Sequence, residues 1–390
     1  MDPPSPKDEV WKYLDLDFAI EDFTLEVEDP REASRDPLLP SVEPAAAASV
    51  VDGSFSGGAV GEDAGLLSLQ AAVDQHGELV SGSLERLPVL DRFAVAADAF
   101  ATDGAFVHVT KGSSVAAPIY IDVESVAGGA ATFPTVVVSL EEAASASVII
   151  HMRSDEAVEA LVVPRIIANV GPAARLDLTI VQRFGYAMRS LGQAHVTVDR
   201  DASVRFGEIG IGGRLARLRL DTDLFGRGAE AQVLGAYFGE QEQILDYRYF
   251  MNHIGSNTRS KMFLKGAVED RALSVFTGMI RIEESGQKTE AFQTNRNLIL
   301  SEGASAQSVP NLEILANDVK CGHGSTVGPL DEEQRYYLMS RGLDPSQSDR
   351  LQVRGFFEEV ISQIPGGEVA PAARTWINDK YVTAQNQGRV

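Results

Sequence analysis

The sequence predicts a mainly β core, with a helical region before it and a helical hairpin after it. Three observations predict this. From Phe106 onward apolar residues alternate with a period of two, as half-buried strands require. The runs are short, β-branched and broken by Gly, Pro, Asn and Asp, and few helical segments separate them, which disfavours a βαβ sheet. From Asp331 the period lengthens to three and four, the spacing of an amphipathic helix.

Residues 1–29 form an acidic amphipathic segment in which Val10, Trp11, Leu14 and Phe18 approach helical spacing. A helix is expected there, packed on its own domain or docking on a partner. Residues 30–65 place Pro37, Pro40 and Pro44 among Ala, Ser and Gly, lack a core periodicity, and read as a low-complexity linker. Residues 66–105 read as an N-terminal helical region. The β core spans 106–330. Its strands include Phe106–Thr110, Ile119–Val123, Thr135–Leu140, Leu176–Ile180, His195–Val198 and Val233–Tyr237. Small residues alternating with apolar ones recur at Ala143–Val148, Ala173–Leu176, Asp201–Phe206, Gly228–Val233, Asp270–Val275 and Gly303–Ala306. Most intervals are about 30 residues and one is about 40, the scale of a stacked repeat. Such a unit cannot bury its apolar face alone, so neighbours must stack. The pattern fits a β-solenoid and leaves a β-sandwich open.

Residues 331–390 form a C-terminal helical domain. Asp331 with Gln334 resembles a capping box. That helix runs through Tyr336 and Tyr337 to Arg341, and Gly342 supplies a left-handed stop. Asp344 and Pro345 open a second helix. Val353, Phe356, Phe357, Val360, Ile361 and Ile364 form its apolar stripe, which Pro365 ends. The polar residues 366–390 are expected to trail over the surface or toward residues 66–100.

Composition narrows the function. A formal charge of −22 argues against generic binding to nucleic acid or anionic membrane. No run reaches the 18 or so apolar residues of a membrane span, and the start Met-Asp-Pro-Pro-Ser-Pro does not resemble a signal peptide. One cysteine excludes an internal disulfide and fits a reducing cytoplasm. Gly207–Gly213 fails the dinucleotide fingerprint because Leu215 stands where its third glycine belongs. Gly286–Thr289 lacks the earlier P-loop glycine, Arg281 occupying that place, so ATP hydrolysis is not expected. No nucleophile elbow is present, and no catalytic residue is nominated.

The remaining candidates are Cys321 and His323. Residues i and i+2 of a strand share a face, so a soft sulfur and an imidazole would lie side by side. That pair could ligate iron, zinc or copper. A structural zinc needs four ligands; the others must converge from distant residues or come from a second chain. A small buried hydrophobe is the competing role for the cysteine. His76, His108, His151, His195 and His253 read as surface or core histidines.

The stretch Asp318-Val-Lys-Cys-Gly-His-Gly-Ser-Thr-Val-Gly328, then Asp331-Glu-Glu-Gln and Tyr337-Leu-Met-Ser-Arg-Gly-Leu343, resembles the signature of the SufB–SufD family, scaffold subunits of iron–sulfur cluster assembly. The likeness covers the last hundred or so residues, extends weakly across the β tract, and adds only Val10-Trp-Lys-Tyr13 before it. It implies a parallel β-helix for residues 106–330. It implies an iron or nascent cluster site near a subunit interface, at Cys321 and His323, with no intrinsic cofactor. It also implies pairing with a SufB-like chain, or a homodimer in its absence. A SufC-like ABC ATPase would dock on the C-terminal hairpin, where Asp331, Tyr336, Tyr337, Arg341, Phe356 and Phe357 are the candidate contacts. The Lys-Cys-x-His-Gly form resembles the SufD branch. The SufB branch carries a cluster-building cysteine in the stretch resembling Thr294–Leu300, where Arg296 stands here, and a glutamate where Gly324 stands. The implied role is a non-catalytic cytoplasmic scaffold, or a stromal one in a plastid homologue. A SufB-like homodimeric scaffold is the alternative. A β-solenoid enzyme acting on acidic polysaccharide is disfavoured by the negative charge.

Overall fold

The computed structural model describes residues 4–8, 11–25, 27, 43–59 and 65–386. Strands β1 (Ala46–Val51), β2 (Ser54–Ala59) and β3 (Gly65–Ser68) precede helices α1 (Leu69–Leu84) and α2 (Arg92–Phe100). Strands then follow one another: β4 (Gly104–Val109), β5 (Ile119–Ser125), β6 (Ala131–Thr132), β7 (Thr135–Leu140), β8 (Ser145–Ser154), β9 (Leu161–Val162), β10 (Arg165–Val170), β11 (Arg175–Arg183) and β12 (Arg189–Val198). The later coils are β13 (Ser203–Gly210), β14 (Leu215–Leu224), β15 (Glu230–Gly239), β16 (Ile244–His253), β17 (Arg259–Val268), β18 (Leu273–Ile282), β19 (Thr289–Ile299), β20 (Ser305–Ile314) and β21 (Val319–Gly328). Helices α3 (Glu332–Ser340), α4 (Pro345–Ile361) and α5 (Val369–Asn386) close the chain.

The chain winds between two sheets. One is ordered β2-β1-β5-β8-β11-β13-β15-β17-β19-β21, the other β3-β4-β7-β10-β12-β14-β16-β18-β20. The ladders from β5 to β21 and from β4 to β20 are parallel. The result is a parallel β-solenoid of about 8 turns, and the sandwich left open by the pattern is ruled out. In-register stacking makes columns inside the coil; Ala146, Leu176, Val204 and Ala231 form one. This interior is the main hydrophobic core.

The repeat has a backbone cause. Ala143, Ala173, Asp201, Gly228, Asn257 and Lys288 all have positive φ, and each stands two residues or fewer before a strand of the first sheet. They are the left-handed corners of successive coils, a conformation that costs a non-glycine residue roughly 1 kcal/mol. Asp270 is the equivalent corner before β18 of the other sheet, which accounts for the one long interval in the sequence pattern.

Three expectations need correction. First, residues 11–19 are not a helix. Tyr13 has φ 74°, which breaks a helical path, and Ile20–Asp22 form a short 3-10 turn. Trp11 and Leu14 are instead anchors buried against Phe93, Leu161, Val163, Leu191 and Leu215. The Arg217 guanidinium lies 4.0 Å from the Trp11 ring centroid, and Arg248 donates to the Lys12 carbonyl at 2.7 Å. Second, the linker reading fails over Ala46–Ala59, where β1 and β2 form a hairpin and Val50 and Val51 are buried. Its alanines read as low complexity because an interior strand of a tight coil takes small side chains; residues 30–42 and 60–64 lie outside the described residues. Third, α5 does not trail over the surface. Val369, Ala373, Ile377 and Tyr381, four residues apart, bury one face with α4 against the outside of the first sheet. Among the described residues no helix is long and apolar enough to cross a membrane.

Candidate metal site at the open end of the solenoid

The two ends of the solenoid differ. At the N-terminal end the hairpin β1–β2 and the antiparallel strand β3 finish the two sheets. At the C-terminal end, among the described residues, β20 pairs only with β18, and β21 only with β19. Inward-facing Gln293, Asn295 and Asn297 of β19 are buried, whereas their register partners His323, Ser325 and Val327 on β21 are exposed. Alternation still points these side chains inward; among the described residues no further coil lies above them. Phe292, Ile314, Leu315 and Val327 are exposed apolar residues at this end.

Cys321 and His323 share the inward face of β21, as their spacing predicts. Cys321 stands over Ala291 and is partly buried against the core, and burial pushes its thiol pKa up. His323 stands over Gln293 and is exposed. Among the described residues no group of three or more His, Cys, Asp and Glu could hold a metal ion. By itself the pair could offer a metal one sulfur and one nitrogen.

The helical hairpin beside the mouth sorts the other candidates. Asp331 caps α3 by accepting from the Gln334 backbone N–H at 3.0 Å. The Gln334 side chain donates to the Asp331 carboxylate at 3.2 Å, so the box is not reciprocal. Tyr336 and Tyr337 are exposed, with the Arg341 guanidinium 5.1 Å from the Tyr337 ring centroid. Phe356 is half-buried, and with Leu298, Leu330, Tyr337, Leu338 and Leu351 it lines a cavity of about 470 Å³. Phe357 does not belong to the exposed set. The helical period turns it toward the sheet with Val353, Val360 and Ile361, where it is 1% exposed. Arg296 lies on the outer face of β19 and pairs with Glu359 of α4 at 3.4 Å.

Sequence reasoning missed Lys265. It is 2% exposed, donates to the Phe356 carbonyl at 2.7 Å, and pairs with Glu359. No local signal could have found it. Its partners are remote in sequence and meet it only because coil register puts β17 under α4.

Comparison with known proteins agrees with this architecture. The model of the family described as SUF system FeS cluster assembly, SufBD core domain, matches residues 123–356. A SufBD family iron–sulfur cluster assembly protein of Mycobacterium tuberculosis is 34% identical over 285 residues, covering 70% of this chain and 71% of that one. The iron–sulfur cluster assembly protein SufD of Escherichia coli is 28% identical over 225 residues, covering 58% of this chain and 53% of its own. SufD of Bacillus subtilis is 35% identical over 144 residues, covering 37% and 33%. With a solenoid whose greater part fits the family model, and a relative of that identity and coverage, the chain belongs to the SufBD family of iron–sulfur cluster assembly proteins.

Proposed function

We propose that this chain is a SufD-like, non-catalytic cytoplasmic subunit of a cluster-assembly scaffold. Its open end pairs with a SufB-like chain, or with a second copy of itself where that is missing. Its C-terminal hairpin recruits a SufC-like ABC ATPase through Tyr336, Tyr337, Arg341 and the exposed side of Phe356. Iron is cargo, held between subunits by Cys321, His323 and donors of the partner. The observation that carries the reading is the placement of both residues on the inward face of β21, at the solenoid end where no capping strand is found among the described residues.

The chemistry follows from that placement. A thiol becomes a ligand only after losing its proton, and partial burial holds the Cys321 thiol protonated more firmly than usual. A metal cation arriving from a partner favours the thiolate, so loading and pairing reinforce one another. Two features favour the SufD role over the SufB one. Arg296 occupies the place of the cluster-building cysteine and is engaged with Glu359. Gly324 stands where the SufB glutamate belongs.

The test is co-purification with the partners, followed by metal analysis of the complex. Cys321→Ala is expected to leave fold and complex intact and to lower the iron content. Full iron retention in that variant would remove the site assignment, and failure to co-purify any SufB-like or SufC-like chain would remove the scaffold role.

A further inference from the structure

His195 lies in β12 and is buried. Its neighbours Ala194 and Val196 belong to the solenoid interior, so its own ring stands on the outer face of the second sheet. There it joins two elements. Nδ1 meets the backbone carbonyl of Arg86, in the turn that follows α1, at 2.8 Å. Nε2 meets a carboxylate oxygen of Asp223, on β14, at 2.9 Å. The other Asp223 oxygen accepts from Asn252 Nδ2 at 2.7 Å. Two more bonds tie the end of α1 and its turn to the sheet: Asn169 donates to the Ser83 hydroxyl at 2.7 Å, and Gln193 to the Pro88 carbonyl at 3.4 Å. Neither of those can titrate. Arg86, His195 and Asp223 also line a groove of about 730 Å³.

A backbone carbonyl can only accept, and so can an ionised carboxylate. Making both bonds therefore takes an N–H on each ring nitrogen. A carboxylic acid donating to Nε2 would hold the same single extra proton, so the pair carries it in either form. Burial works against the Asp223 carboxylate, but the hydrogen bonds from His195 and Asn252 outweigh it and keep its pKa below the ordinary value. The other charged groups around the ring are Arg86 and Asp221, the register partner on β14, which Arg219 engages at 2.6 and 2.9 Å. Glu141 and Asp199 line the same groove. Once the extra proton leaves, one N–H must serve two acceptors. The carboxylate is the stronger acceptor, so the Arg86 carbonyl is left facing a lone pair.

We propose that His195 and Asp223 form a proton-operated latch, which holds the turn after α1 on the second sheet and closes one side of the groove. The latch is shut while the pair keeps its proton and loosens as pH rises. It does not depend on the metal role of Cys321 and His323.

The test follows the full chain from about pH 5 to about pH 9. Ring-nitrogen resonances of the 15N-histidine-labelled protein report the ring's protons, with His195→Gln assigning the signal. Amide-exchange protection, which divides out the intrinsic effect of pH, reports the segment from Ser83 to Leu87. Protection there is expected to fall about 10-fold as the ring loses its second N–H, while the ladder between β12 and β14 stays protected. Asp223→Asn is the deciding variant. Its amide oxygen still accepts from Asn252 and its N–H donates to Nε2, so a neutral ring keeps Nδ1–H for Arg86. Protection is then expected to stay high across the whole range. A fall like the parent's in Asp223→Asn overturns the proposal, because another group would be opening the turn. A parent whose protection does not follow the ring overturns it too, as does a ring that holds one protonation state throughout. His195→Gln is expected to remove the pH dependence. Thermal unfolding checks each variant, and should His195→Gln not fold, the comparison of the parent with Asp223→Asn decides alone.

Discussion

His253 closes β16 with its ring sealed in the interior. Its nitrogens meet Thr258 Oγ1 and Ser260 Oγ, both at 2.8 Å. Burial lowers its pKa from 6.5 to about 4. The folded ring therefore stays neutral where the unfolded chain binds a proton. Stability from this ring is full above pH 6.5 and is lost as pH falls toward 4, a total of about 3 kcal/mol. Urea unfolding between pH 7 and 4.5 is expected to show that loss in the parent chain and a shallower slope in His253→Gln. Parallel slopes would mean that the ring is charged, or exposed, in the folded state. The sequence marks this histidine only as one more member of a β tract, because burial depth is not encoded in a single position. Cys321 and His323 were legible for the opposite reason: strand alternation alone places them on one face. Their unequal exposure was not legible. It depends on β21 being the last described strand, with Cys321 packed against the core and His323 left exposed above Gln293.

Elements were easiest to read where spacing speaks for itself. The α4 stripe and the Asp344 cap stand as expected, with Asp344 accepting from the Gln347 backbone N–H at 2.8 Å. The N-terminal segment misled because Trp11 and Leu14 fit both a helix and a strap with two anchors, and a pocket on the second sheet decided for the strap. What holds α4 to the solenoid was invisible in sequence. Lys265 has its ammonium 4.3 Å from the Phe356 ring centroid, and burial lowers its pKa while Glu359 offsets part of that fall. Glu359 is half-exposed, so solvent weakens the pair. Removing one partner of a buried charge costs more than replacing that charge by an apolar group of similar volume. Glu359→Gln is accordingly expected to destabilise the chain by about 1–2 kcal/mol, and Lys265→Met to be neutral or mildly stabilising. Chemical denaturation decides. A larger loss in Lys265→Met than in Glu359→Gln would show that the ammonium contributes net stability rather than fixing the position of α4.

At the scale of the molecule, the solenoid was legible as a repeat of about 30 residues, but which end stays open was not. The repeat looks alike along its length, and the difference lies in what finishes each sheet. Antiparallel strands finish the N-terminal end, and a free edge is left at the other. A free parallel edge with inward side chains exposed is a template for further coils. The bare ladder, the exposed Phe292, Ile314, Leu315 and Val327, and the proposed metal ligands Cys321 and His323 all gather there. A chain carrying a charge of −22 repels copies of itself over most of its surface, which favours association at an apolar, hydrogen-bonding patch over general stickiness. Val327→Lys combined with Phe292→Lys places two ammonium groups beside that edge. Both side chains are already exposed, so the fold should tolerate the change within about 0.5 kcal/mol per site. Pairing is expected to weaken at least 100-fold, because each lysine must be desolvated against an apolar partner surface. Sedimentation of the mixed subunits reads the pairing, and thermal unfolding of the isolated chain reads the fold. A complex that survives both lysines would place the partner on another surface, and the proposed metal role of Cys321 and His323 would lose the partner donors it needs.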